Sequence, residues 1–324
     1  MAIHNWLRVA GVTFGLALGA HDAAAQTYPA RAVRIVVPAT TGGAIDLIDR
    51  SLAEKMTGSL GQPVVVENKP GASNNLGTDF VAKSAPDGYT LVIIASSHAT
   101  NKHLFKSLPY DPVRDFEPVV YTHVVPLLLA VHPSVGAKTV QELVAWIKAN
   151  PDKAVYASSG PGSSLHMAAE LFMSMTKTKM QHVPYKGSSA AHPDLLAGRT
   201  AMIFDTVTAI RPHVKSGALR GIAVTTAKRS SAFPELPTIA ESGLPGYDAS
   251  TWGGILAPAG TPRETIAKLN GSINAALKTD DVRARLMAAG IEIQGGTPEQ
   301  FGGVIKNEIE KWGRIVTEAG IQPE

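Results

Sequence analysis

"VPATTGGAID", residues 37–46, lies where the apolar run Val33-Arg34-Ile35-Val36-Val37 gives way to a Thr/Gly turn. Beyond the turn Ile45, Ile48, Leu52 and Met56 recur at spacings of three and four, so the stretch reads as strand, tight loop, helix. Such a loop aims free backbone N–H groups and the positive end of a helix dipole at one point, which is where an anion binds. Two familiar anions are excluded by the residues present. A nucleotide P-loop needs Gly-Lys followed by Ser or Thr, and here Asp46 would repel a triphosphate. A dinucleotide loop needs G-x-G-x-x-G, and only the adjacent pair Gly42-Gly43 occurs. What remains is a small, weakly charged acceptor such as a carboxylate, held by N–H groups and the hydroxyls of Thr40 and Thr41. A plain turn that binds nothing is the alternative.

The strand-loop-helix plan returns in "AVYASSGPGSSLHMAAELF", where Ser158-Ser159-Gly160-Pro161-Gly162-Ser163-Ser164 precedes a helix whose Leu165, Ala168, Ala169 and Phe172 share one face. Between the two copies come the strand Val64–Glu67, a polar loop, a helix near Leu76–Ala85, and a buried-type strand ending on Ser96-Ser97. Capping-box spacing at Thr139 opens a helix to about Asn150, and Thr261 and Thr297 combine that spacing with proline at the first helical position. Strands alternating with helices imply parallel sheets built from βαβ units. If the two loops face each other across a cleft, their helix N-termini together offer roughly one positive charge. One ligand carboxylate gripped from both sides then needs no fixed cation.

Composition narrows the classes further. The 324 residues carry 30 basic and 27 acidic side chains with no basic block, so nothing points to nucleic acid. No cysteine occurs, which excludes disulfides, thiolate metal sites and a lipid-modified cysteine anchor. Arg8, the uncharged run Val9–Ala20 and Ala23-Ala24-Ala25 read as a signal peptide over residues 1–25, with a mature chain from Gln26 in the periplasm. The roughly 300 residues that follow exceed one ordinary core and suggest two domains.

"RIVVPATTGGAIDLIDR", "LGQPVVVENKPGASNNLG", "PDGYTL", "LPYDPVRDFEPV", "YASSGPGSSLHMAAELF", "HVPYKGS", "DLLAGRTAMIFD", "AVTTAKRSSAFPELPTIAESGLPGYDASTWGGILAPAGTP" and "EKWGRIVTEAGI" resemble the Bug, or TctC-like, solute receptors of tripartite tricarboxylate transporters. The resemblance runs from about Tyr28 to the C-terminus. It implies an α/β, two-domain periplasmic binding protein of the Venus-flytrap type, each domain a mostly parallel sheet flanked by helices with the ligand cleft between them. Such a receptor acts as a monomer without a cofactor, captures a small carboxylate and delivers it to membrane permease subunits. Matched block by block, the resemblance implies ligand positions at Ala39, Thr40, Thr41, Gly42, Gly43, Asp46, Ser96, Ser97, Ser158, Ser159, Gly160, Ser163, Ser164, His166 and Asp205. Many members place a bulky aromatic residue before the two glycines. Ala39-Thr40-Thr41 departs from that, which favours an aromatic or otherwise bulky carboxylate over a compact dicarboxylate unless Ala39 faces the core.

Simpler readings stand beside these. Asp46 in a first helical turn suits the dipole whatever the function, Asp205 could cap the next helix, His166 could brace its loop, and Lys186 could be a solvated loop lysine. Trp252 reads as packing where the chain recrosses between domains. The extended apolar segments "YTHVVPLLLAV" and "STWGGILAP" are spaced to make two crossings, giving a discontinuous first domain of residues 26–122 plus 253–324 and a second of 123–252. Two other functions stay open: a ligand sensor for a signalling partner, and a hydrolase using Ser159, His166 and Asp205. The hydrolase lacks a G-x-S-x-G elbow and an H-E-x-x-H helix, so the expectation is no enzyme.

Overall fold

Each apolar run pairs into a sheet, and each segment of period 3.6 lies against one as a helix. In the computed structural model, which describes residues 28–41 and 44–323, the chain runs β1 (Val33–Val37), α1 (Ala44–Leu60), β2 (Val64–Asn68), α2 (Asn75–Ala82), β3 (Thr90–Ala95), α3 (Ser97–Leu104) and the long β4 (Phe116–Val131). It continues through α4 (Val140–Ala149), β5 (Val155–Ser158), α5 (Ser164–Thr176), β6 (Gln181–Pro184), α6 (Ser188–Leu196), β7 (Met202–Thr206), α7 (Val207–Lys215) and β8 (Arg220–Val224). β9 (Ser250–Pro258), α8 (Arg263–Leu277), α9 (Asp280–Ala288), β10 (Glu292–Ile293) and α10 (Pro298–Glu318) follow. The signal-peptide reading and Gly42-Gly43 lie outside the described residues.

Among the described residues the strands join in the order β2-β1-β3-β9-β4-β7-β5-β6, with β8 and β10 also on β4. The βαβ units are parallel, as their alternation with helices requires: β1 with β2 and β3, β5 with β6 and β7. The long strands differ, because β4 and β9 each run antiparallel to their neighbours and join the two parallel groups. β4 pairs with β9 from Phe116 to Pro126, then turns to β7 and β8 from Leu127 to Val131. At the changeover Thr225 Oγ1 accepts from the Leu127 N–H (3.1 Å), satisfying a donor where the ladder changes partner. The architecture is thus α/β, two parallel groups of strands with their helices joined through β4 and β9, consistent with the expected two domains.

Local packing follows from the side chains. Ile48, Leu52 and Met56 of α1 are fully buried, each stabilising by about 1.5–3 kcal/mol. Gly253 and Gly254 lie where three elements close on β9: a Cβ there would fall 2.0 Å from the Ile94 carbonyl and 2.3 Å from the Val120 carbonyl. Trp252, 2 % exposed, packs edge-on against Tyr121 and Phe301. Its indole N–H and that of Trp312 both donate to Glu308 Oε2 at 2.8 Å, tying α10 to the crossing strand. The Thr297 capping box forms in full, and Thr139 caps α4. Thr261 does not cap α8, because its hydroxyl turns back to donate to the Pro258 carbonyl at 2.7 Å, leaving Pro262 as the cap residue.

Candidate functional site

Three strand-to-helix junctions carry doubled or clustered hydroxyls, and at the serine pairs the first residue builds the loop while its neighbour is left more open. Ser96 is buried with its hydroxyl 3.3 Å from Thr251, whereas Ser97 begins α3 and accepts from Asn74 Nδ2 at 2.8 Å, keeping its own proton to donate. Ser158 is fully buried with Oγ 2.6 Å from His182 Nε2, whereas the half-buried Ser159 hydroxyl makes no hydrogen bond within the protein among the described residues. Ser163 caps α5, accepting from the His166 N–H at 3.3 Å and donating to the Gly160 carbonyl at 2.7 Å. Ser164, the first residue of α5, keeps a hydroxyl without a partner among the described residues. The opening N–H groups of α3 and α5 lack intrahelical acceptors, so each junction offers donors and a partial positive charge.

The acids and histidines of the motif stand behind these loops. Asp46, 3 % exposed, accepts from Arg50 Nε and from Asn68 Nδ2 at 2.9 Å. Asp205 is fully buried, accepting from His192 Nε2 and from the Thr206 N–H, both at 2.7 Å. The cap on α7 is instead Thr206. His166 Nδ1 accepts from the Gly162 N–H at 3.0 Å, and its Nε2 faces Glu170 at 3.3 Å, so the ring braces the loop. It stacks on His182 at 4.4 Å, and His182 stacks on Tyr156 at 4.8 Å. Burial, followed by the neighbouring His166, lowers the His182 pKa to about 4, which keeps that ring neutral against Ser158. Glu170 is opposed by burial, yet hydrogen bonds from His166 and Tyr156 outweigh it and hold the carboxyl below its ordinary value.

Ser97, Ser159, Gly162 and Ser163 meet at a cleft of about 220 Å³ between the two halves. Thr40 and Thr41 are exposed, their hydroxyls making no hydrogen bond among the described residues, and Ala39 is partly buried against the core while its carbonyl accepts from Asn68 Nδ2 at 3.0 Å. Lys186 is exposed. A larger groove of about 1100 Å³, bordered by Arg114, Arg263 and Lys306, shares no residue with either loop.

Sequence reasoning passed over one wall of the cleft, the segment Ala72–Asn74. Its three residues hold φ of 47, 52 and 75°, left-handed values that strain any side-chain-bearing residue by about 1–2 kcal/mol. Asn101 Nδ2 holds the turn by donating to the Ser73 carbonyl and to Asn75 Oδ1, both at 2.8 Å, and the Tyr110 hydroxyl also donates to Asn75. The one signal in "GASNNLG" was Asn74, since asparagine tolerates left-handed backbone, whereas Ala72 and Ser73 gave none.

Residues 48–321 match the tripartite tricarboxylate transporter family receptor, TctC. The chain is 40% identical to protein BugT of Bordetella pertussis over 322 residues, 99% of each chain. It is similar to the structure of Rpa4515 of R. palustris with adipate, at 38% identity and a TM-score of 0.81, covering 92% of this chain and 100% of that one. It is also similar to MatC of Rhodopseudomonas palustris with bound malate, at 32% identity and a TM-score of 0.76, covering 89% and 100%.

Proposed function

We propose the following function for this chain, which belongs to the tripartite tricarboxylate transporter receptor family, TctC: it captures a small carboxylate between its two domains and delivers it to the permease subunits of such a transporter. The observation that carries the reading is the convergence of Ser97 at the start of α3 and Ser159 before α5 on one cleft, each with a hydroxyl free to donate. Two helix N-termini and a few hydroxyls suit one carboxylate. Each charge-assisted hydrogen bond contributes about 1.5–3 kcal/mol, so four or five with some apolar burial reach micromolar affinity, about 8 kcal/mol. Related receptors are described with adipate and with bound malate, which supports a small carboxylate as the ligand.

The ligand set is Thr40, Thr41, Gly42, Gly43, Ser97, Ser159, Gly160 and Ser164, with Asp46, Ser96, Ser158, Ser163, His166 and Asp205 fixing the loops from behind. The domains are residues 26–122 with 253–324, and 123–252, and closure is a hinge on β4 and β9, whose ladder partners change within a few residues of those bounds. The protein is exported to the periplasm by its signal peptide and works as a monomer. A non-enzymatic role fits the side chains: His166 bonds Gly162 and Glu170, Asp205 bonds His192, and neither faces Ser159 as a triad requires.

The test is a thermal-shift screen of the mature protein against mono-, di- and aromatic carboxylates, with nucleotides and divalent metals as controls. At least one carboxylate is expected to raise Tm by preferential binding to the folded state. Ser159→Ala is then expected to weaken that ligand roughly tenfold or more in calorimetry, the loss of one charge-assisted bond. A response confined to nucleotides or metals overturns the reading.

A further inference from the structure

The cleft extends beyond the serine loops along one face of α3. Ser97, Asn101 and Leu104 recur at spacings of four and three on that face, and Phe105, in extended backbone just past the helix, lines the same groove. Ser97, Asn74 and Ser159 supply polar lining, and Leu104, Phe105 and, from the segment after α10, Ile321 supply the apolar lining, with Leu104 lying against the serine loop at Gly162. Seven residues of helix separate Ser97 from Leu104, a rise of about 10 Å, enough for a six-carbon chain. The volume of about 220 Å³ is roughly seven times the share of one water in the liquid. Among the described residues that line it there is no lysine, arginine, aspartate or glutamate.

Resting on the carboxylate reading above, we infer that this groove takes the uncharged tail of the ligand, so that the protein selects a monocarboxylate with an apolar aliphatic or aromatic body over a dicarboxylate of the same length. The carboxylate sits at the Ser97 and Ser159 end, where donors converge. A second carboxylate carried along α3 would come to rest against Leu104, Phe105 and Ile321 with no cation to receive it, and burying an unpaired charge there is strongly unfavourable. Ile321 is a wall residue that is only partly buried and follows the last helix, packing against the core from its edge.

Calorimetry with hexanoate, benzoate and adipate tests this, hexanoate and adipate differing only in the second carboxylate. The wild-type protein is expected to bind hexanoate or benzoate at least tenfold more tightly than adipate. Ile321→Arg, with unchanged Tm, is expected to weaken hexanoate and benzoate at least tenfold and to narrow or reverse the preference by pairing with the second carboxylate. Gln322→Lys serves as a second placement of the cation. A wild-type preference for adipate, or affinities in both variants within twofold of wild type, overturns the groove assignment while leaving a carboxylate receptor intact. If no carboxylate in the thermal-shift screen binds at all, the receptor reading itself fails and the groove assignment with it.

Discussion

Asp49 is a fully buried carboxyl on the core face of α1 whose two oxygens have no hydrogen-bond partner among the described residues. Burial pushes its pKa well above the ordinary aspartate value, the neighbouring Asp46 charge pushes the same way, and Arg50 offsets only part. A raised folded pKa means the folded protein holds a proton that the unfolded chain releases near pH 4. The stabilisation linked to that proton is therefore complete below the unfolded pKa and is lost as pH rises toward the folded one, at up to about 1.4 kcal/mol per pH unit. Asp49→Asn keeps the shape and removes the ionisation. Asp49→Ala also removes the unsatisfied polar atoms, gaining about 1–3 kcal/mol less about 1 kcal/mol for the small void.

Urea denaturation of the wild type and both variants from pH 5 to 9, compared as differences, isolates this one group from the histidines. The wild-type minus Asn difference should become steadily less favourable to the wild type as pH rises and then level off. Asp49→Ala should be the more stable protein at pH 8. Parallel pH profiles for wild type and Asp49→Asn would falsify the argument, because they would mean that Asp49 does not change protonation between the folded and unfolded chains in this range.

His123, buried with its pKa lowered to about 3, and His98, lowered to about 4 by burial against a hydrogen bond to Pro112, stay neutral in the fold and charge on unfolding below about pH 6.5. Stability is therefore fully present above that value and falls as pH drops toward 4, and His123→Gln should flatten this acid limb in melts at pH 4–7. Gly253→Ala forces a Cβ onto the Ile94 carbonyl and should cost roughly 3 kcal/mol in urea denaturation; a loss under 0.5 kcal/mol would mean the crossing strand has slack. Glu308→Leu leaves the Trp252 and Trp312 indole N–H groups unpaired beside the crossing strand. A loss of about 2–3 kcal/mol with a shifted tryptophan emission is expected, and an unchanged spectrum would argue against that bridge.

Backbone periodicity was legible in the sequence, and side-chain assignment at the site was not, for a reason visible at each serine pair. The spacing of Ile48, Leu52 and Met56 encodes a helix face because burial repeats with the helical period, and the run Leu91–Ile94 encodes a strand between layers because every position is apolar. The apolar stretches around Pro126 and Trp252 likewise read as long strands, and β4 passes from its pairing with β9 to β7 and β8 while β9 lies between β3 and β4. At a strand end, however, successive side chains point to opposite sides, so "SS" in the sequence offers the same hydroxyl to the core and to the cleft. Which serine goes where is decided by distant partners: Thr251 for Ser96, His182 for Ser158, and Asn74 for Ser97. The last of these depends on a left-handed turn at Ala72–Asn74, held by Asn101 from a different helix, which no local pattern contains. The same holds for the acids: Asp46 and Asp205 occupy motif positions, and their partners Asn68 and His192 come from distant parts of the chain. A site made of backbone donors and small hydroxyls thus has its specificity written in what stands behind it, and that layer is assembled only by the fold.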